Sequence, residues 1–339
     1  MFKKLIFILL YIYPLFALAQ DQIGERTFAF NDTARHRPLK TEVWYPTNDT
    51  RKPDSIPGYP FIHIPTVRNA SLPSGVHQLI LISHGTGGGR MTLEWLADAL
   101  VQKGFIVAAV DHWGNTYDNK IAIDFVTPWE RPQDISFVLT QLLNDKDFAP
   151  LIDKNRIGAA GFSIGGYTVI ALAGGQISMD ALNKFSQTPQ GVKEFTLPEF
   201  PGLKKAFNPA DVEASFKNCP DLKDNRIKAF FAMCPAVGQG FTNRDQLKRI
   251  TSPVYIVGAQ SDSIAPIKTN AIHYQNLIKG SKIYIVPGKA AHYTFLNEGT
   301  EAAKHGAGPF LNDDPSVNRH EVHQQVAKIA VDFFATTLK

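Results

Sequence analysis

From residue 78 onward, short apolar runs alternate with segments of helical hydrophobic spacing. The apolar runs predict buried strands at Gln78–Ser83, Phe105–Val110, Ile157–Phe162, Ile227–Met233, Val254–Gly258 and Lys282–Val286. The helical spacing predicts helices at Thr92–Lys103, Pro132–Asn144, Ile164–Ala173, Lys268–Ile278 and Arg319–Thr337. This alternation indicates an α/β fold, a mostly parallel sheet flanked by helices.

Two stretches depart from the alternation. Near the start, Arg26–Phe30 and Lys40–Tyr45 have the pattern of paired strands, and the proline-rich residues 46–76 predict an irregular excursion. Residues 175–224 separate a predicted helix from the next strand and contain scattered phenylalanines and prolines. We expect a cap inserted over the functional site, with a surface insertion of no functional role as the alternative.

The N-terminus has the pattern of a secretory signal peptide over residues 1–19. A pair of lysines precedes an apolar stretch that ends at Leu18, and Ala19 completes a small-residue cleavage site. The stretch is too short to favour spanning a bilayer, and no cysteine follows for lipid attachment. We therefore expect a mature domain at 20–339, secreted or periplasmic, without a stable membrane span.

Composition narrows the expected partners. The 339 residues are 44% apolar, enough for a full core, and the formal net charge is +4. Because the basic residues are scattered rather than clustered, nucleic acid is not expected as a partner. Cys219 and Cys234 are the only cysteines and have no metal-ligand neighbours, so no metal is expected, while their pairing stays open. The oligomeric state stays open as well.

Ser163 is the candidate nucleophile. It lies at the centre of Gly161-Phe162-Ser163-Ile164-Gly165, after a predicted strand and before a predicted helix. In that setting a Gly-x-Ser-x-Gly turn projects the serine hydroxyl above the sheet edge. The alternative is a plain glycine turn between a core strand and a core helix.

A serine nucleophile needs a base oriented by an acid. Asp262 follows the strand Val254–Gly258 and is the expected acid, with an ordinary turn or capping aspartate as the alternative. His292, in the loop after Lys282–Val286, is the expected base. The other downstream histidines, expected in helices or on polar surfaces, are His273, His305, His320 and His323.

The glycine-rich loop after the first parallel strand, Ser83-His84-Gly85-Thr86-Gly87-Gly88-Gly89, is the expected oxyanion hole. We assign its donors to the amides of Thr86 and Ile164. The loop lacks the Lys-Ser/Thr ending of a P-loop and the spacing of a dinucleotide fingerprint, which disfavours nucleotide binding. His84 is expected to support the loop.

Substrate contacts are expected from two aromatic residues. Trp113 follows a strand at the same sheet edge, and Tyr167 lies one turn after Ser163, so both are pocket candidates. Asp111 and His112 are expected to hold each other and their loop in place.

Together these segments resemble the serine α/β-hydrolases, and more narrowly the platelet-activating factor acetylhydrolase and predicted dienelactone hydrolase group. The resemblance is carried by Trp44-Tyr45-Pro46, Ser83-His84-Gly85-Thr86-Gly87, Asp111-His112, Arg131-Pro132-x-Asp134, Gly161-Phe162-Ser163-Ile164-Gly165-Gly166 and Asp224-x-Arg226-Ile227-Lys228-Ala229. It implies an α/β-hydrolase fold with Ser163 as nucleophile, Asp262 as acid and His292 as base. Dienelactone hydrolases have a cysteine where this chain has Ser163, so carboxylic ester hydrolysis is the expected reaction.

The expected protein is thus an exported serine esterase for small-molecule or lipid-like esters of short to medium acyl chain, needing no cofactor. A peptidase or an acyltransferase with the same triad is one alternative. A non-catalytic hydrolase-like binding protein is another.

Overall fold

The computed structural model describes residues 22–54 and 58–339, and a nine-stranded sheet forms its centre. The signal peptide expected at 1–19 lies outside the described residues. The strands are β1 Gln22–Asp32, β2 Arg37–Thr47, β3 Thr66–Arg68, β4 His77–Ser83, β5 Ile106–Val110, β6 Ile152–Phe162, β7 Ile227–Met233, β8 Val254–Ala259 and β9 Lys282–Val286. They are ordered β3-β1-β2-β5-β4-β6-β7-β8-β9 across the sheet.

Strand direction divides the sheet into two parts. From β5 to β9 all neighbours are parallel, whereas β2 is antiparallel to both β1 and β5. This confirms the expected mostly parallel sheet, and the predicted hairpin forms its antiparallel part. Residues 46–76 also contain β3, which pairs in parallel with β1. Three residues are too few to give a periodic signal in the sequence.

Helices cover both faces of the sheet. The helices of the main domain are α1 Glu94–Val101, α2 Ala122–Val126, α3 Glu130–Asn144, α4 Ile164–Ala173, α8 Ala271–Leu277, α9 Glu301–Lys304 and α10 Arg319–Thr337. One apolar cluster lies under α3, α4 and α8, and a second lies under α1 and α10. Alternate residues of β4 enter the two clusters, as the two-residue period of a strand requires.

The segment 175–224 contains helices that the apolar pattern did not predict. These are α5 Met179–Ser186, α6 Pro189–Glu194 and α7 Pro209–Lys217. The side chains of Ser178, Thr188 and Asn208 accept backbone N–H bonds at their N-termini. Thr-Pro and Asn-Pro are start signals for a helix, because proline fits the first helical position. We call this segment the cap.

Among the described residues, none of the helices combines the length and the apolar character needed to cross a bilayer.

Candidate active site

A tight turn between β6 and α4 carries Ser163. Its backbone angles, φ 58° and ψ −120°, fall in a region that costs a non-glycine residue about 1–3 kcal/mol. The turn closes because Gly161 and Gly165 lack side chains. A Cβ on Gly161 would collide with the carbonyl of Gly165, and a Cβ on Gly165 would collide with that of Ser83. Strand and helix can therefore approach closely on either side of the serine.

The structure brings Ser163, His292 and Asp262 into one hydrogen-bonded chain. His292 Nε2 lies 2.8 Å from Ser163 Oγ, and His292 Nδ1 lies 2.7 Å from Asp262 Oδ2. Asp262 follows β8, and His292 opens a short 3₁₀ turn after β9. The carboxyl ends of neighbouring parallel strands thus place three residues that are far apart in the chain within contact distance.

Hydrogen bonds keep Asp262 ionised and oriented. Its Oδ1 accepts the backbone N–H groups of Ile264 and Ala265 at 2.9 and 2.7 Å. Burial raises the pKa of Asp262, but the charge and hydrogen bond of His292, with the Ala265 N–H, lower that pKa below its usual value overall. A carboxylate at this position holds the His292 Nδ1 proton, which leaves Nε2 free to accept a proton from Ser163.

The loop after β4 presents an unoccupied N–H group beside the serine. The three glycine amides after Thr86 donate within the protein, to Asn115 Oδ1, Gly85 O and Thr92 Oγ1. The Thr86 N–H has no acceptor among the described residues. Ile164 begins α4, where the first N–H groups have no partner within the helix. A Cβ built on Gly85 would lie 3.3 Å from Ser163 Cβ, so this loop packs directly against the elbow.

His84 orients the Thr86 amide. Its Nε2 accepts the backbone N–H of His112 at 3.2 Å, so the ring proton is on Nδ1, which lies 2.7 Å from the Gly85 carbonyl oxygen. Burial, with Arg131 nearby, holds the pKa of His84 well below its usual value, so the ring is neutral. Because a trans peptide points its C=O and N–H to opposite sides, fixing the Gly85 carbonyl fixes the direction of the Thr86 N–H.

A second buried set of polar side chains supports this loop from behind. Ser83 Oγ lies 2.9 Å from His112 Nε2, and His112 Nδ1 lies 2.9 Å from Asp134 Oδ2. Arg131 donates to the carbonyl oxygen of His84. Burial and the positive charge of Arg131 lower the pKa of His112 to about 3. Buried hydrogen bonds therefore connect this loop to Arg131 and Asp134 on α3.

The expectation that Asp111 and His112 hold each other is wrong. Asp111 accepts the Arg90 backbone N–H and Arg90 Nη1, both at 2.6 Å, while His112 faces Ser83 and Asp134. Consecutive residues at the end of a strand point to opposite sides, which separates the two.

The two aromatic pocket candidates are placed differently from the triad. Trp113 is half-buried, packs against the larger core cluster and uses its carbonyl to accept a bond from Arg37 at 3.1 Å. Tyr167 is fully buried, with its ring 6.4 Å from that of Phe241. Tyr167 thus packs within the larger apolar cluster, and its role as a pocket residue stays a prediction.

The cap contacts the site through Glu199, a residue that the sequence did not single out. Its Cβ lies 3.0 Å from the position of a Cβ built on Gly87, and its Oε1 accepts a hydrogen bond from the Tyr293 hydroxyl at 2.8 Å. In the chain, Gly87 directly follows Thr86, and Tyr293 directly follows His292. The cap thus bridges both loops that border Ser163.

The cap is also anchored away from the site. Trp129, directly before α3, donates its Nε1–H to Ser215 Oγ on α7 at 2.8 Å. The Glu194 carboxylate on α6 accepts bonds from Gln239, Thr269 and Asn270. The carboxylate is buried and surrounded by donors, so it fixes α6 to the main domain.

Cys219 and Cys234 are unpaired. Among the described residues, a single group of side chains is close enough together to hold a metal ion, namely Cys234, Asp262 and His292. The Cys234 thiol lies within 4.8 Å of the Asp262 carboxylate, and that carboxylate accepts a hydrogen bond from His292. The Asp262 and His292 atoms of this group are already hydrogen-bonded to each other and to Ser163.

Comparisons with known proteins identify the fold of this chain. No family model and no curated protein sequence matches the chain. Among solved structures, the chain is similar to a ferulic acid esterase from Streptomyces cinnamoneus, with a TM-score of 0.61 and 18% sequence identity. The match covers 95% of this chain and 91% of that one. The similarity gives no support to the narrower acetylhydrolase and dienelactone hydrolase group; what it shows is that this chain has the α/β-hydrolase fold.

Proposed function

We propose that the protein is an exported serine esterase that cleaves carboxylic esters of short to medium acyl chain through an acyl-enzyme on Ser163. The observation that carries the proposal is the 2.8 Å contact between Ser163 Oγ and His292 Nε2, with Asp262 on the other ring nitrogen. A serine hydroxyl is a weak nucleophile at neutral pH, and a positioned base is what activates it.

In the first half-reaction, His292 Nε2 takes the Ser163 proton as Oγ attacks the ester carbonyl carbon. Negative charge then develops on the carbonyl oxygen, where the Thr86 and Ile164 N–H groups donate to it. The ester C–O bond breaks, and His292 returns the proton to the departing alcohol. Asp262 stabilises the imidazolium that forms between these steps.

In the second half-reaction, His292 removes a proton from water as the water oxygen attacks the acyl carbon. The same N–H groups receive the negative charge, and the bond to Ser163 Oγ breaks. The proton on His292 returns to the serine, and the carboxylic acid leaves. Each step uses side chains and amides already within contact of Ser163, so the chemistry requires no cofactor.

Separate observations support the ester class, the acyl size and the export of the protein. The similar solved structure is an esterase. Ser163 is 6% exposed, and the cap residue Glu199 contacts both loops beside it, so we expect space for small acyl groups. The signal-peptide pattern at 1–19 supports export, and N-terminal sequencing of the protein recovered outside the cytoplasm tests it.

The decisive experiment combines p-nitrophenyl esters of increasing acyl length with a fluorophosphonate probe, on the wild-type protein and on Ser163→Ala. We expect turnover of short esters and labelling of Ser163, with a loss of about 10⁴-fold or more in kcat for the variant. Labelling without ester turnover would favour a peptidase or an acyltransferase. No labelling at all would favour a binding protein.

A further inference from the structure

One oxygen of the Glu199 carboxylate is buried without a hydrogen-bond donor. Glu199 Oε2 is buried and has no hydrogen-bond partner among the described residues. The neighbouring Oε1 already accepts from Tyr293 at 2.8 Å, and Lys120 Nζ binds the Glu199 backbone carbonyl, also at 2.8 Å, rather than the carboxylate. Burying a charged acceptor without a donor costs free energy, so this oxygen indicates a donor that arrives with a ligand.

One other buried carboxylate oxygen in the described part of the chain lacks a hydrogen bond, but that oxygen has a cation beside it. Glu25 Oε1 lies 3.0 Å from Arg68 Nη2, so an ion pair compensates it. Glu199 has no such cation on its carboxylate within the described ranges 22–54 and 58–339. Its Oε2 therefore stands apart from the structural carboxylates of this protein.

The position of Glu199 ties the oxygen to the reaction site. Its side chain lies between Gly87, which follows the Thr86 amide, and Tyr293, which follows His292. The loops that carry the Thr86 amide and His292 therefore both contact Glu199, which lies at the border of the candidate site.

The surroundings of the carboxylate are apolar and carry positive charge on one side. Phe125 packs edge-to-face against Phe200, with ring centroids 5.0 Å apart, and Tyr293 lies 4.5 Å from Phe310. The Lys120 ammonium on the Glu199 carbonyl disfavours a cationic ligand by repulsion. A neutral donor suits this environment better than an ammonium group does.

We propose that Glu199 Oε2 accepts a hydrogen bond from a hydroxyl group of the substrate, and that the enzyme therefore prefers esters hydroxylated close to the scissile carbonyl. This inference rests on the proposed esterase function, which it deepens by naming a substrate class. Glu199 acts as a specificity residue, and it takes no part in bond making or breaking.

The test measures preference within pairs of esters that differ only in the hydroxyl. On the acyl side, p-nitrophenyl 3-hydroxybutyrate is compared with p-nitrophenyl 3-methylbutyrate. On the alcohol side, 2-hydroxyethyl butyrate is compared with propyl butyrate. The ratio of kcat/KM within a pair is the measured quantity, because it cancels any general effect of a variant on folding or catalysis.

For the wild-type protein we expect one of the two pairs to favour the hydroxylated ester by about 10- to 100-fold, as a hydrogen bond to a charged acceptor provides. Glu199→Leu should bring that ratio close to one, and Glu199→Gln should leave an intermediate ratio, because a neutral amide hydrogen-bonds less strongly. The matched control is Glu213→Leu, on an exposed cap position paired with Lys217, which should keep the wild-type ratio.

Ratios near one for both pairs in the wild-type protein would overturn the inference, and so would a ratio that survives Glu199→Leu. A preference for butyrylcholine over 3,3-dimethylbutyl butyrate that depends on Glu199 would overturn it in favour of a cation. Dissociation constants of the same pairs on Ser163→Ala, with and without Glu199→Leu, report the preference without turnover. If no ester is hydrolysed but this binding ratio persists, the proposed function fails and the hydroxyl subsite stands.

Discussion

Ser83 and His112 form a second serine–histidine pair, with Ser83 Oγ 2.9 Å from His112 Nε2 and Asp134 on the other ring nitrogen. The order of groups is the same as at Ser163, yet the surroundings differ. Ser83 ends a regular strand and is completely buried, whereas Ser163 has the strained elbow backbone and lies beside the Thr86 N–H, which has no acceptor among the described residues. We therefore expect Ser163, and not Ser83, to react as a nucleophile.

A fluorophosphonate probe should label Ser163 and leave Ser83 unmodified, which peptide mass spectrometry can determine. Ser83→Ala should keep that labelling and lose about 1 kcal/mol in free energy of unfolding, since one hydrogen bond is removed. Urea titration measures the second quantity. Modification of Ser83, or labelling that disappears in Ser83→Ala, would contradict the structural role assigned to this pair.

Asp262→Asn should lower kcat on the order of 10⁴-fold at neutral pH, because an amide no longer holds the Nδ1 proton of His292 in place. The lowered pKa of Asp262 keeps the wild-type carboxylate charged throughout the neutral range. Steady-state kinetics with a p-nitrophenyl ester measure the change. Asp245→Asn, at a side chain 87% exposed, is the matched control and should retain wild-type rates.

Gly165→Ala should destabilise the protein by about 1–3 kcal/mol and abolish activity, because the added methyl group collides with the Ser83 carbonyl and must displace backbone. Thermal or urea unfolding measures the stability. Gly280→Ala is the comparison: its φ is +76° but nothing lies within 4 Å of the new Cβ, so only about 1–2 kcal/mol of backbone strain is expected, with activity kept. Equal activity in the two variants would show that the elbow tolerates a side chain.

His323 should make the protein less stable in mild acid. Burial, with Arg319 adding to it, lowers the pKa of His323 to about 3, against an unfolded value of about 6.5. Between these values the unfolded chain binds the extra proton, so stability falls as the pH decreases from about 6.5 toward 3, by up to ~1.4 kcal/mol per pH unit.

Urea unfolding at pH 7.5 and pH 5, followed by tryptophan fluorescence, to which Trp95 stacked on His323 at 4.4 Å contributes, tests this expectation. His323→Gln should lose less stability between the two pH values than the wild-type protein loses. His320→Gln, on the same helix with the histidine side chain 60% exposed, should behave as wild type. An unchanged pH dependence in His323→Gln would show that this ring does not control the acid sensitivity.

The local sequence pattern was enough to predict the strands of the sheet and the turn that carries Ser163. Strands β7 and β9 and helices α4 and α10 have the predicted bounds, and the other predicted core elements differ by a few residues at their ends. Buried parallel strands are continuous apolar runs, and the tight turn at Ser163 requires glycines within a few residues of it. Both features can therefore be predicted from short segments of the sequence.

Other features depend on contacts between distant segments. Nothing near Glu199 in the chain indicates that it would meet Gly87 and Tyr293, and nothing near Asp134 indicates that it would bind His112. The cap helices are short and mostly exposed, so their apolar periodicity is weak and their capping residues were the available signal.

The sequence by itself determined the α/β architecture and which residue types could carry acyl-transfer chemistry, because apolar spacing and glycine turns act over a few residues. Only the tertiary structure decided which histidine faces which serine, which amide is left unoccupied and where the cap carboxylate lies. Those outcomes depend on the order of strands across the sheet and on the packing of a long insertion. Neither is encoded in any short window of the chain, since both arise from burial shared among segments far apart in sequence.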